Sequence, residues 1–249
     1  MKLGEITAWL DRELEVSRFD DVSNNGLQIA RSSGGDVGLV AFGVDASAAF
    51  VRRAAERGAR LCVVHHGISW GGGIRRIVGS EYEVVRAAIE ADVALYASHL
   101  PLDANERCGN NWEIARHLRL KAVEPAFSYH GNLIGVVGRA VETGAYAVGA
   151  AEIALEAGMK VGVCSGGAGE FAAEAKSLGC DLYLTGEASW GDVIAAENVG
   201  MKMVCAGHYE TETFGVAALA RALSRDLGLD TAFIDSRRGA APEAERKCQ

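Results

Sequence analysis

The sequence predicts an α/β fold made of two similar halves with mixed sheets and a metal site between them. Short β-branched runs alternate with Ala-rich stretches of helical periodicity, and the order of these elements repeats after about 120 residues. Histidines and carboxylates follow several of the apolar runs. We expect residues 1–122 to form the first half, 123–158 a linker with connecting strands, 159–235 the second half and 236–249 a disordered tail.

The first half opens with a helix and a turn. Ile6, Leu10 and Leu14 recur at helical spacing, and Asn25-Gly26 before a short apolar run is typical of a tight turn that enters a strand. The following pattern predicts strands at 38–44, 61–64 and 93–97, with helices at 46–57 and 81–90 between them.

The second half repeats this order, with strands at 161–164, 182–184 and 202–205 and helices at 170–178 and 192–198. A shift of 120 residues sets 40–70 against 160–190. It places Thr185-Gly186-Glu187 and Trp190 where the first half has His65-His66-Gly67 and Trp70. We interpret the two halves as related units.

Composition restricts the partners. The chain has 25 Lys and Arg against 33 Asp and Glu, a net charge of -8, which disfavours binding to nucleic acid backbones. The apolar runs are far shorter than the roughly 20 residues that span a bilayer, and the charged residues within 1–14 do not fit a signal peptide. We therefore expect a soluble, cytoplasmic protein without a membrane partner, whose six scattered cysteines are reduced thiols.

The residues with the clearest chemistry stand at predicted strand ends, where α/β sheets place their ligands. They are His65, His66, Asp103, His208 and Glu212. Each has a structural alternative when taken alone. One imidazole of the His65-His66 pair would belong to the core and the other to the surface, Asp103 would cap the helix at 111–117, and Glu212 would occupy a first turn capped by Thr211. Their coincidence at several strand ends favours a metal centre, and the ligand types suit Zn, Fe, Mn, Co and Ni alike.

These motifs, with Ser23-Asn24-Asn25-Gly26-Leu27-Gln28 and Ser98-His99, resemble the NIF-three-like family, also called GTP cyclohydrolase 1 type 2 homologues. The chain resembles the short form, without the domain that longer members insert between the halves. The resemblance implies a homohexamer and a dinuclear metal centre. In that centre His66 and Asp103 would bind one ion, His65 and His208 the other, and Glu212 both. It also places His99, Asn25 and Glu187 beside the ions, with His99 and Glu187 as candidate catalytic residues.

Three functions are consistent with these features. The first is a metal-dependent hydrolase of a nucleotide or related small molecule, with Arg75, Arg76 or Arg107 as candidates for contacting a triphosphate. The alternative is a non-catalytic protein for metal handling or an interaction scaffold. A regulator acting on nucleic acid ranks last because of the acidic charge.

Overall fold

A computed structural model of the chain describes residues 1–32 and 34–237. It has two five-stranded mixed sheets and a separate two-stranded hairpin. Helices cover the sheets, and no helix in the described ranges combines the length and apolar character needed to cross a membrane.

The first sheet has the order β1-β4-β3-β2-β12. Its strands are β1 (Gly26–Ile29), β2 (Leu39–Asp45), β3 (Leu61–His66), β4 (Ala94–Ala97) and β12 (Asp230–Phe233). Only β1 runs antiparallel to its neighbour; the pairs β4-β3, β3-β2 and β2-β12 are parallel. Parallel central strands are covered on both faces, which explains why Leu61 to Val64 form an uninterrupted buried apolar run.

The second sheet has the order β11-β10-β9-β6-β5. Its strands are β5 (Leu120–Tyr129), β6 (Asn132–Ala140), β9 (Lys160–Cys164), β10 (Leu182–Thr185) and β11 (Met203–Cys205), while β7 (Gly144–Val148) and β8 (Ala151–Leu155) form the hairpin. Strands β9, β10 and β11 are parallel, and β5 and β6 are antiparallel additions. The predicted linker is therefore largely extended structure that completes this sheet and supplies the hairpin.

The helices are α1 (Leu3–Glu13), α2 (Ala48–Glu56), α3 (Gly79–Ala91), α4 (Leu100–Ala104), α5 (Asn110–His117), α6 (Ala172–Ser177), α7 (Trp190–Val199) and α8 (His208–Leu227). Capping side chains explain where α2 and α7 begin. Ser47 caps α2 by accepting a hydrogen bond from the Phe50 amide, and Ser189 with Asp192 forms a capping box on α7. The helices predicted at 46–57, 81–90, 170–178 and 192–198 are confirmed within a few residues, the third as a 3-10 turn (Gly169–Phe171) followed by α6.

The predicted two-half α/β fold is confirmed. The series β2-α2-β3-α3-β4 recurs as β9-α6-β10-α7-β11, and both series give the same parallel strand order. The 120-residue shift lays β2 on β9 and β3 on β10, which is the alignment seen in the sequence.

The carboxyl-terminal elements return to the first sheet. Helix α8 packs on β2, β3 and β12, and its Val216, Leu219 and Leu223 join Phe42 in the core on that face. Residues 159–235, which the sequence analysis groups as one half, are thus divided between the two sheets. Of the predicted tail, residues 238–249 lie outside the described residues, whereas Ser236 donates a hydrogen bond to Asp45.

Candidate metal centre

The five predicted ligands lie together between the two sheets. His65 and His66 are the last residues of β3, Asp103 is in α4, and His208 and Glu212 are in the first turns of α8. Adjacent strand residues normally point to opposite faces. The imidazole centroids of His65 and His66 nevertheless lie only 4.6 Å apart, at the point where the strand ends and the chain turns at Gly67.

The Glu212 carboxylate is the centre of the cluster. Its Oε1 lies 3.0 Å from His208 Nε2 and 3.4 Å from His65 Nε2, and its Oε2 lies 3.4 Å from His66 Nε2. Two ligand atoms that share one ion at 2.0–2.2 Å can lie no more than about 4.4 Å apart. The separations around Glu212 therefore fit metal coordination.

Asp103 completes the buried side of the centre. Its Oδ2 lies 3.6 Å from His65 Nε2, while its Oδ1 accepts hydrogen bonds from Asn110 Nδ2 at 2.9 Å and Ser165 Oγ at 3.0 Å. One carboxylate oxygen is thereby fixed by protein donors, and the other faces the imidazole.

Each histidine of the centre is oriented from behind. Nδ1 of His65 donates to the Ser98 carbonyl, Nδ1 of His66 to Asp45 and Nδ1 of His208 to Glu187, each at 2.9 Å. A hydrogen bond at Nδ1 fixes the ring and leaves Nε2 as the inward-facing nitrogen, the usual arrangement for a metal-binding histidine.

Two buried atoms at the centre lack hydrogen-bond partners in the described ranges, namely His65 Nε2 and Glu212 Oε2. Leaving a buried polar atom unpaired costs free energy, so such atoms in a native fold call for a ligand. The donor set and these two atoms fit a metal ion. His65, His66 and His99, and separately His66, His208 and Glu212, form groups whose ligand atoms lie within 4.8 Å of one another.

The electrostatics of the ion-free cluster are strongly coupled. Burial disfavours the charged form of Glu212, but the neighbouring charge of His65 and the close imidazoles of His208 and His66 hold the pKa of Glu212 well below its usual range. Burial likewise opposes protonation of His66, but the adjacent carboxylates of Asp45 and Glu212 raise its pKa to about 10. The hydrogen bond to Glu212 is the main cause that raises the pKa of His208 to about 9.

His99 stands next to the cluster on a separate support. Its ring lies 5.1 Å from that of His65 and 5.7 Å from that of His66. Its Nδ1 donates to Asp21 at 2.9 Å, and its backbone amide donates to the Asn25 side chain at 2.8 Å. The Ser23-to-Gln28 motif thus contributes by holding His99.

The second half contributes close packing and one carboxylate. A Cβ at Gly186 would lie 2.6 Å from the Gly166 carbonyl oxygen and 2.8 Å from His208 Cα, so only glycine fits there. Glu187 is exposed and reaches His208 from outside. The Thr185-Gly186-Glu187 motif therefore supports the start of α8.

Several alternatives drawn from the sequence are wrong. Helix α8 begins at His208 after Gly207, and Thr211 lies within its first turns, where it accepts a hydrogen bond from the Gly166 amide rather than capping the helix. Asp103 does not cap α5, whose N-cap is Gly109. Arg107 pairs with Glu13 and Asp226 and lines a cavity other than the one at the centre.

Sequence reasoning missed Asp21, Asp45 and the Ser98 carbonyl as the groups behind the imidazoles. Asp45 had a usable signal, because it ends the strand beside β3 and is the register partner of His66. Asp21 lies in an irregular segment, and nothing in its spacing indicates a link to His99.

Comparison with known proteins identifies the family of the chain. The family described as Duf34/NIF3 (NGG1p interacting factor 3) matches residues 1–239. The chain belongs to the DUF34/NIF3 family. A relative from Pyrococcus horikoshii is 38% identical over 253 residues, covering 96% of this chain and 100% of its own length. One from Deinococcus radiodurans is 39% identical over 244 residues, covering 93% and 92%. Both are named GTP cyclohydrolase 1 type 2 homolog.

Two solved structures share the fold of this chain. Protein ybgI, described as of unknown function, superposes with a TM-score of 0.80 at 28% identity, covering 94% of this chain and 98% of that protein. A protein from Thermus thermophilus gives a TM-score of 0.76 at 30% identity with the same coverage. The family predicted from the motifs is confirmed by the match over residues 1–239.

Proposed function

We propose that this DUF34/NIF3 protein holds two divalent metal ions at the Glu212 cluster and is a metal-dependent hydrolase of a nucleotide or related small molecule. The observation that carries the proposal is the set of inward-facing Nε2 atoms of His65, His66 and His208 around one buried carboxylate with an unpaired oxygen. The relatives named for GTP cyclohydrolase add support for a nucleotide-type substrate.

The contact distances favour a particular division of the ligands. His65 and Asp103 lie 3.6 Å apart and suit one ion, while His66 and His208 group with Glu212 and suit the other. This pairing exchanges His65 and His66 relative to the one implied by the family resemblance. In both arrangements Glu212 would be a ligand of both ions.

Bound divalent ions would supply a water activated near neutral pH and would polarise the bond that this water attacks. The chain's own residues have simpler tasks. His99 faces the adjacent cavity with its Nδ1 held by Asp21, so it is placed to exchange a proton with a bound ligand. Glu187 reaches the centre only through His208 and is a positioning residue.

Metal analysis of single-site variants tests this proposal. His65→Ala and His208→Ala should each lower the metal content of purified protein while circular dichroism shows an unchanged fold, because removal of one imidazole leaves the cores intact. His130→Ala is a matched control, since its exposed ring lies outside the cluster. Equal metal loading of His65→Ala, His208→Ala and wild type would refute the metal centre.

The assembly state is a further part of the proposal, and it rests on the family resemblance. We propose a closed homohexamer. Light scattering at micromolar concentration should give the mass of six 26.2 kDa chains, and a monomer at that concentration would contradict it.

A further inference from the structure

A cavity of about 330 Å³ opens directly over the proposed metal centre. His66, His99, Asp103, His208 and Glu212 form its floor, and the loop after β9 forms one wall. This volume is at the low end for small-molecule sites, which favours a ligand of modest size.

Three aromatic side chains line the walls of this cavity, namely Trp70, Tyr129 and Phe171. Trp70 is fixed by a hydrogen bond from its Nε1 to the Gly67 carbonyl at 3.0 Å and by edge contact with His99, with ring centroids 5.3 Å apart. Phe171 is held by Phe127 at 5.7 Å between ring centroids. Rings that are already oriented offer stacking surfaces to a flat ligand at little entropic cost.

The side chains that line this cavity differ from those of a typical phosphate site. Within the described residues, its lining includes carboxylates but neither Lys nor Arg. Arg107 is engaged with Glu13 and Asp226, and Arg75 and Arg76 are exposed on the segment after Trp70, outside this lining. Any phosphate contact would therefore fall to the ions of the proposed centre and not to a cationic side chain of this lining.

Glu170 is the one carboxylate of the lining that is not at the metal positions. Its exposed side chain projects from an otherwise buried 3-10 turn beside Phe171, and no hydrogen bond or ion pair engages that side chain within the described ranges. A carboxylate next to an aromatic face is suited to accept N–H groups on the edge of a ring that is stacked there.

We propose that this cavity binds a flat, uncharged heterocycle, a nucleobase or nucleoside. The ring stacks on the aromatic walls, its N–H edge pairs with Glu170, and the chain contributes no side-chain contact to phosphate. The inference rests on the proposed metal centre, which forms the floor of the cavity. It narrows the substrate from nucleotides in general to the base-bearing part of the molecule.

Calorimetric titration of the zinc-loaded protein, desalted to remove free Zn²⁺, tests the inference. Guanosine, GTP and inorganic triphosphate are the probes, because guanosine keeps the ring of GTP without its phosphates. Guanosine should bind although it has no phosphate, because the aromatic walls and Glu170 contact the base. Binding of inorganic triphosphate, which can contact only the ions, should be unchanged in Trp70→Ala and Phe171→Leu.

Variants locate the binding surface. Trp70→Ala and Phe171→Leu should each weaken guanosine binding by about tenfold, the loss expected for removal of one stacking side chain. Trp190→Ala is the matched control for Trp70, since Trp190 holds the equivalent place in the second half and is 76% exposed. Glu170→Gln should also weaken guanosine binding, whereas Glu197→Gln, on the exposed face of α7, should leave it unchanged.

The outcomes separate this inference from the metal centre itself. Failure to retain Zn²⁺ would overturn the proposed function. Retention of Zn²⁺ without guanosine binding would overturn the inference alone. It would also be overturned if GTP bound more than tenfold tighter than guanosine and Arg75→Ala/Arg76→Ala removed the difference, since those arginines would then be phosphate ligands.

Discussion

The carboxyl ends of β3 and β10 occupy equivalent places in the two halves but carry different chemistry. The first ends in His65 and His66, whose imidazoles enter the cluster, and the second continues into Gly186 and Glu187, which pack under and hydrogen-bond to His208. Trp70 lines the cavity, while the matching Trp190 is exposed. The repeated strand order therefore fixes the positions at which polar residues follow a strand. The side chains at those positions determine whether a half contributes to the histidine–carboxylate cluster or supports the start of α8.

The largest effect is expected at Glu212, the residue that both halves surround. On the proposed function, Glu212→Gln would remove a negative charge from between two cations that repel each other, so double occupancy should be lost while one ion is retained. Titration of metal into stripped protein should show one equivalent for Glu212→Gln and two for wild type. Glu210→Gln in the same helical turn is the control, and two equivalents at unchanged affinity in Glu212→Gln would exclude the bridging role.

The next effect concerns pH in the metal-free protein. The pKa values of His66 and His208 are raised to about 10 and about 9, from about 6.5 in the unfolded chain. Groups with raised folded pKa values stabilise the fold fully below the unfolded value, and this stabilisation is lost as pH rises through the folded values. The midpoint temperature of thermal unfolding of the metal-free protein should therefore decrease as the pH rises from about 6.5 to about 10.

Bound metal should remove this dependence, because a coordinated imidazole no longer carries the titrating proton. Parallel melts with Zn²⁺ present provide the comparison. The same decline in the zinc-loaded protein would mean that the two histidines do not contact the ions.

A third and smaller effect is expected from the supporting half. Gly186→Ala places a Cβ 2.7 Å from Thr211 Oγ1 and within 2.8 Å of backbone atoms of Gly166 and His208. Overpacking of this kind costs about 1–3 kcal/mol in unfolding free energy, measurable by urea denaturation. Gly4→Ala in α1, whose added Cβ meets nothing within 4 Å, should not destabilise the protein. Equal stability of Gly186→Ala and wild type would show that the loop adapts.

The smallest effect compares the carboxylates behind two imidazoles. Removal of a hydrogen-bond partner of a metal-binding histidine typically weakens metal affinity by about 10-fold to 100-fold. For Asp45→Asn we expect a loss of metal affinity at the lower end of that range. The loss for Glu187→Gln should be smaller, because the Glu187 side chain is 64% exposed and water can replace its hydrogen bond to His208. Competition with a metal chelator would give the metal affinities of the two variants. A larger loss of affinity in Glu187→Gln than in Asp45→Asn would contradict the view that the second half only supports the cluster.

The strand ends could be predicted because continuous apolar runs indicate buried strands. A polar residue that follows such a run lies at the edge of the sheet, where α/β folds place their ligands. His65, His66 and His208 were found in this way. The groups behind the imidazoles required three-dimensional information. Asp45 meets His66 through parallel register, and Asp21 meets His99 through an irregular loop with no periodicity.

The capping alternatives for Thr211 and Asp103 are not realised, for a related reason. Thr211 and Asp103 are residue types that cap helices, so their identity alone favours a cap. The structure uses the Thr211 hydroxyl to bind the Gly166 amide and the Asp103 carboxylate to bind Asn110 and Ser165. Contacts distant in sequence thus override the local preference.

The hydrogen bond from Ser236 to Asp45 has a consequence for the order of folding. It joins residues 191 positions apart and lies directly behind His66. Closure of so long a loop is entropically costly, so we expect this corner to form after the local β-α-β units. Interactions made after the folding transition state change the unfolding rate rather than the folding rate. A metal ion bound at this corner should therefore lower the unfolding rate and leave the folding rate unchanged, so that the folded chain persists longer.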